Sequence, residues 1–217
     1  MSVAYPPQPW DLTGRGWITA WSLPGPLPGL PAGVRPVGRL ALTMFVDYRP
    51  PGQMAYAELL AGVIVRQGRR VGLAITDIWV DSPASRDGGR ELWGVPKELA
   101  GFRVADRPSP DAGAALRAEL DGAVLAEARF RPGRVPGLPL PLRAPAAIAQ
   151  SMPLAASGTA ARPGARTVWT PVAASARSVR PARATWSAPA DGPLGWLAGA
   201  RSRGSVVVDG FAMRFGR

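Results

Sequence analysis

Lys97 is the only lysine in a chain of 217 residues with 26 basic side chains, so every other basic residue is arginine. Arginine supplies positive charge wherever charge alone is needed. A lysine kept against that bias points to work that requires an amine able to lose its proton, which a guanidinium does not do. The chain has no histidine and no cysteine. That removes thiol nucleophiles, imidazole general bases, a Ser-His-Asp triad, disulfides and zinc held by Cys or His. Those exclusions leave open the amine chemistry that the lone lysine suggests, with no metal and no cofactor expected.

Such chemistry makes a physical demand. A free lysine titrates near 10.4, so at pH 7 about one molecule in a few thousand holds the neutral amine. Making it neutral near pH 7 takes roughly 4–5 kcal/mol against the ammonium, and burial in an apolar pocket supplies that much. Leu92, Trp93, Val95, Pro96 and Leu99 flank Lys97, so the sequence predicts a buried amine activated by desolvation.

The elements that must position this amine read mainly as strands. Gly and Pro together make up nearly a quarter of the chain, which disfavours long helices and demands frequent turns. Strands are predicted over Trp17–Leu23, Val37–Tyr48, Met54–Gln67 and Val71–Asp81, with a loop over Pro24–Pro36 and a turn at Arg49–Gly52. Val71–Asp81 is apolar on both faces, as in a strand covered on both sides. Ser82–Gly94 carries helix punctuation: Ser82 as N-cap, Pro83 at the first helical position and Gly94 as the stop. Gly88-Gly89 in its middle costs about 1 kcal/mol per glycine relative to alanine. Asp87 and Arg90 are spaced for an i,i+3 pair. Ala114–Arg131 alternates with period two, and a three-residue loop over Asp121–Ala123 would set Arg117 opposite Glu127. Pro132–Pro145 reads as a second connector. Thr167–Ala174, Arg183–Ala188 and Ser205–Asp209 read as further strands. No internal repeat or domain boundary is evident, so residues 1–217 read as a single β-rich domain.

The net charge is +11, yet the arginines are scattered and accompanied by no nucleic-acid-binding motif. A solvated, arginine-biased surface is expected rather than a nucleic-acid site. The apolar run Leu59–Val65 is far short of the roughly 20 residues a bilayer takes, and the N-terminus lacks the pattern of a secretory signal. A cytoplasmic protein without membrane contact is expected.

Around the lone lysine, Gly89-Arg90-Glu91-Leu92-Trp93-Gly94-Val95-Pro96-Lys97 resembles the Gly-Arg-Glu-x-x-x-x-Pro-Lys segment of the acetoacetate decarboxylase superfamily. Tyr56-Ala57-Glu58 is similar to the Tyr-x-Glu element of that superfamily, and Pro9–Trp17 to its N-terminal arginine segment. The resemblance implies conical, barrel-like antiparallel sheets with few short helices, assembled as a homo-oligomer. It implies a Schiff-base-forming lyase acting on a small keto acid by decarboxylation, or by aldol condensation and dehydration. Lys97 would be the nucleophile, Glu58 the proton shuttle and Arg15 the partner of the substrate carboxylate, with Tyr56 and Trp93 also at the substrate. Two positions depart from the pattern: Glu98 stands where the decarboxylases have a second lysine, and Thr43 where they have a second glutamate. A non-catalytic homologue that keeps the pocket but not the lyase activity is the alternative.

Overall fold

β-Branched and aromatic runs cut by Pro and Gly are built for pleated surfaces joined by turns, and sheet is what they form. A computed structural model of the chain describes residues 4–25, 29–106, 113–153 and 165–217. The described elements are β1 (Trp10–Ser22), β2 (Arg35–Arg49), β3 (Tyr56–Gln67), β4 (Arg70–Val80), α1 (Pro83–Trp93), β5 (Lys97–Leu99), β6 (Gly101–Asp106), β7 (Ala114–Leu120), β8 (Ala123–Pro132), β9 (Leu138–Pro153), β10 (Ala165–Ser187) and β11 (Arg201–Phe215), with a 3-10 turn at Gly195–Gly199. Among these residues no helix is long and apolar enough to cross a membrane.

The strands lie in the order β11-β1-β2-β3-β4-β9-β10, and β10 pairs again with β11. Seven strands therefore close into a barrel. From the other half of β10, β8, β7 and β6 continue as a ribbon that packs over the outside of the β1–β4 wall. Phe45, Leu59, Trp17 and Trp79 on that wall meet Leu116 and Phe130 of the ribbon. The barrel-like, β-rich expectation holds, with one amendment: β4 pairs in parallel with both β5 and β9, so the sheet is mixed rather than wholly antiparallel.

The prediction that Val71–Asp81 is covered on both faces also holds, but the faces are not those of simple alternation. β3 opposes Gly62 to Ile75 and Ala61 to Asp77, leaving Thr76 as an extra residue. This bulge brings Ile75 and Ile78 onto one face, toward the barrel interior, and leaves Trp79 in the outer cluster.

Several strands outrun their sequence signals. β1 starts at Trp10, because β11 pairs with it from Trp10 onward and β2 joins on the other side from Thr13. The two predicted strands at Thr167–Ala174 and Arg183–Ala188 are one strand, β10, whose middle pairs with β11. β11 likewise extends well beyond Ser205–Asp209. The connector predicted over Pro132–Pro145 is strand from Leu138 onward. The loop predicted over Pro24–Pro36 ends where β2 begins at Arg35, and its residues 26–28 lie outside the described ones.

Arg117 does face Glu127, with Nη1 and Oε1 2.6 Å apart, but not through a three-residue loop. Asp121-Gly122 forms a two-residue turn with φ of 51° and 81°, the left-handed pair that a tight hairpin requires. A bulge at Leu125 then restores the register.

Candidate active site

The route to Lys97 starts at the end of β4. Ser82 caps α1, its hydroxyl accepting from the Ser85 N–H, and Pro83 occupies the first turn. Gly94 ends the helix with φ 66°, and its N–H returns to the Arg90 carbonyl. The chain then turns into β5, where Lys97 pairs with Ile78. Because β3 lies beside β4, with Leu60 opposite Ile78 and Glu58 opposite Val80, residues 39 positions apart in sequence meet inside the barrel.

Lys97 is buried, and its Nζ lies 2.8 Å from Glu58 Oε2, 2.8 Å from Ser85 Oγ and 3.4 Å from Tyr56 Oη. It sits 5.1 Å from the centre of the Tyr56 ring. Tyr48 donates its hydroxyl to Glu58 Oε1 at 3.2 Å. Burial pushes the Tyr56 hydroxyl up to about 12, with Glu58 adding to the rise and Lys97 opposing it. Burial and the Glu58 charge raise Tyr48 well above its ordinary value. Both phenols are therefore neutral at pH 7 and serve as hydrogen-bonding walls.

The electrostatics of Lys97 overturn the expectation of activation by desolvation. Burial does push its ammonium down, and is the largest single influence. The Glu58 carboxylate and the hydrogen bonds to Glu58 and Tyr56 together outweigh it and hold the pKa above that of an ordinary lysine. The resting site is thus a buried ion pair rather than a free amine.

A stability test follows. The native state holds the Lys97 proton more tightly than the unfolded chain, where the value is 10.5. The stabilisation is complete below that pH and disappears as pH rises through the higher native value. The wild-type urea midpoint should therefore fall more steeply above pH 10.5 than that of Lys97→Met. Parallel slopes would refute the raised value.

Glu98, next in the chain, points outward and is mostly exposed. It pairs with Arg90, so it does not touch the amine. Arg90 thus pairs across to Glu98, and the predicted Asp87–Arg90 pair is replaced by Arg86–Asp87.

α1 approaches Lys97 through the stripe Ser85, Gly88, Gly89 and Trp93, all buried. A Cβ on Gly89 would lie 2.8 Å from Lys97 Cδ and 3.0 Å from Cε, and one on Gly88 would lie 2.6 Å from the Trp10 ring. The glycines that weaken the helix locally are what lets it come this close. Gly89→Ala should favour the helix in isolation yet push the lysine stem off Glu58. We expect Lys97 to react with carbonyl compounds at least tenfold more slowly in that variant, with the melting temperature within a few degrees of wild type. Unchanged reactivity would show that the stem has room to spare.

The pair opens onto a cavity of about 780 Å³ to which all seven barrel strands contribute. Trp93 lines it, in edge contact with Trp10 and Phe215 at 4.7 and 4.5 Å. Of the residues singled out from the sequence, Lys97, Glu58, Tyr56 and Trp93 converge here. Arg15 does not. Gly14, opposite Tyr48, and Gly16 point inward, whereas Arg15 alternates to the outer face, where it meets Asp209 at 2.6 Å and stacks on Trp17 at 5.4 Å. A role for Arg15 at a substrate carboxylate in this cavity is therefore corrected: strand alternation puts it on the wrong side. Thr43 also faces outward, accepting from the Trp21 indole at 2.9 Å, while Leu42 and Met44 line the cavity. Trp79 belongs to the outer cluster and does not line the cavity. Ser85 and Tyr48 were not foreseen, since single hydroxyls carry no sequence signal until the fold brings them to the amine. No group of three or more carboxylates suited to a metal occurs among the described residues.

The comparisons agree with this architecture. The family description acetoacetate decarboxylase (ADC) matches residues 29–197. No curated protein matches the sequence. Among solved structures, acetoacetate decarboxylase from Legionella pneumophila superposes with a TM-score of 0.77 at 17% identity, covering 99% of this chain and 87% of that one. The enduracididine biosynthesis enzyme MppR, complexed with the condensation product of pyruvate and imidazole 4-carboxaldehyde, gives 0.77 at 17% identity, covering 100% and 90%. An acetoacetate decarboxylase-like enzyme from Sphingomonas wittichii gives 0.73 at 17%, covering 96% and 91%. At these identities the structures establish a shared fold, and the match over most of the sequence establishes kinship: the chain belongs to the acetoacetate decarboxylase family.

Proposed function

We propose that this protein is a Schiff-base-forming lyase in which Lys97 condenses with a substrate carbonyl and Glu58 moves the protons. The observation that carries this reading is the buried contact of 2.8 Å between Nζ and Oε2 at the floor of an apolar cavity. In water such a pair would be two solvated ions. Here the carboxylate is placed to take the proton that keeps the amine inert, leaving two neutral groups in a site that solvates charge poorly.

Glu58 accepts a proton from Nζ, and the amine adds to the carbonyl carbon. The carbonyl oxygen gains one proton from the attacking nitrogen and one returned by Glu58 and leaves as water, so that a protonated imine remains beside the carboxylate. That cation draws in the electron pair released when an adjacent C–C or C–H bond breaks, giving a neutral enamine. Decarboxylation, retro-aldol cleavage, aldol addition and dehydration all use this sink. Tyr48, donating to Glu58 Oε1, and Ser85 Oγ beside Nζ keep the two reacting groups oriented.

Borohydride tests this directly, because hydride reduces the C=N bond to a stable secondary amine. With pyruvate, which MppR holds in one of the related structures, with acetoacetate and with simple ketones as probes, intact mass should show one adduct per chain, mapping to Lys97. The second reading, a binding protein without catalysis, draws on the raised pKa of Lys97. It predicts carbonyl ligands that bind and are never trapped.

A further inference from the structure

We infer that the carbonyl compound this cavity takes carries a long apolar chain, with its carbonyl at Nζ and its chain running up the barrel toward Val71; the inference rests on Lys97 being the imine-forming amine.

Size is the first argument. A cavity of about 150 Å³ is enough to hold benzene, and this one is about 780 Å³, toward the upper end of small-molecule sites. A three- or four-carbon keto acid would leave most of it empty.

The walls are the second. Lys97 and Glu58 are the only charged residues among the described lining residues, and they neutralise each other. The hydroxyls of Tyr48 and Tyr56 sit at that same end, and apart from Ser175 the remaining described lining side chains are apolar. Among the described residues a substrate carboxylate would find no second cation here, since Arg15 lies outside the barrel. Burying an unpaired carboxylate in such surroundings is strongly unfavourable. A neutral chain loses nothing by entering.

Shape is the third. From the Lys97 end the lining residues march away along three strands: Tyr48 to Leu42 on β2, Glu58 to Ile64 on β3, and Ile78 to Val71 on β4. Along β4 this path is about 20 Å long at roughly 3.3 Å per residue. It ends at Val71 and Leu140, which are 58% and 38% exposed. Those two otherwise unexplained apolar residues rim the end opposite a catalytic pair that is itself dry. A tunnel with a polar floor and a greasy mouth suits a molecule with a carbonyl head and an apolar tail.

The test is borohydride trapping of the wild-type protein with acetone, 2-heptanone and 2-undecanone, beside pyruvate and acetoacetate, read by intact mass. Each methylene moved from water into an apolar site favours binding about threefold to fourfold. The concentration for half-trapping should therefore fall at least 100-fold from acetone to 2-undecanone, with both keto acids weaker than 2-heptanone. Ile64→Trp, which fills the tunnel partway along, should make the gain stop at a shorter ketone. Pyruvate or acetoacetate trapped as readily as 2-undecanone would overturn the inference and leave the lysine reading intact. Should nothing be trapped, the lysine reading fails, and displacement of the neutral fluorophore 1-aminoanthracene decides the chain question separately. Displacement by 2-undecanone at concentrations where acetone has no effect supports an apolar-chain site, and equal behaviour overturns it.

Discussion

Lys97→Arg should abolish the borohydride adduct and reduce lyase turnover on the order of 10⁴-fold or more, the usual consequence of removing a catalytic nucleophile. The substitution keeps a cation against Glu58, so the buried carboxylate is not left alone. That matters, because stripping one partner from a buried pair destabilises by about 3–5 kcal/mol and would confuse a chemical loss with unfolding. The guanidinium stays protonated and forms no imine. The guanidinium is bulkier than the ammonium, and Gly89 lies against the lysine stem, so some loss of melting temperature is expected. Lys97→Met, which restores the stem without the charge, serves as the companion. An adduct that persists in both variants, when every other basic side chain is arginine, would have to sit on the N-terminal amine, and the proposed site would be wrong.

Glu58→Gln is the sharper experiment, because the two roles open to the carboxylate predict opposite signs. If Glu58 were only a counter-ion, removing its charge would leave burial opposed only by Tyr56, the ammonium would lose its proton more readily, and imine formation would speed up. If Glu58 carries the protons, the variant loses the base that takes the Nζ proton and the acid that helps expel water. Imine formation should then slow by about 10²- to 10⁴-fold at pH 7 even though the amine is freer. We expect the slowing. The trapping rate of the variant should also rise with pH as solvent takes over deprotonation, against a flatter wild-type profile. Faster trapping in Glu58→Gln would remove Glu58 from the chemistry and return it to a structural role.

Both experiments depend on a feature of the site at odds with the reading of Lys97 from its neighbours in sequence. Leu92, Trp93, Val95, Pro96 and Leu99 correctly indicated a dry amine, because apolar residues on both sides of Lys97 leave its side chain little access to water. They could not indicate that the dry amine would be paired. The Glu58 carboxylate reaches Lys97 only because β3 and β5 flank β4 on opposite sides, and that adjacency reverses the direction of the pKa.

Arg15 shows the same limit. Its position in a resembling segment is a one-dimensional fact, whereas its side of the wall depends on strand register, with Gly14 opposite Tyr48 and Gly16 pointing into the cavity. A displacement of one residue in a strand exchanges the two faces.

The sequence by itself determined a β-rich chain, the capped helix from Pro83 to Trp93, the Arg117–Glu127 hairpin pair and the family, and it singled out Lys97 as the candidate nucleophile. These rest on local physics, such as capping, periodicity and turn chemistry, or on a contiguous motif. Only the tertiary structure decided how the Glu58 carboxylate pairs with the amine, which way its proton affinity moves, that Arg15 stays out of the cavity, and how large and apolar that cavity is. Those properties come from strand order, from bulges such as the one at Thr76 and from barrel closure between β10 and β11. Each places groups together that the chain holds tens of residues apart, and no local propensity encodes such distances.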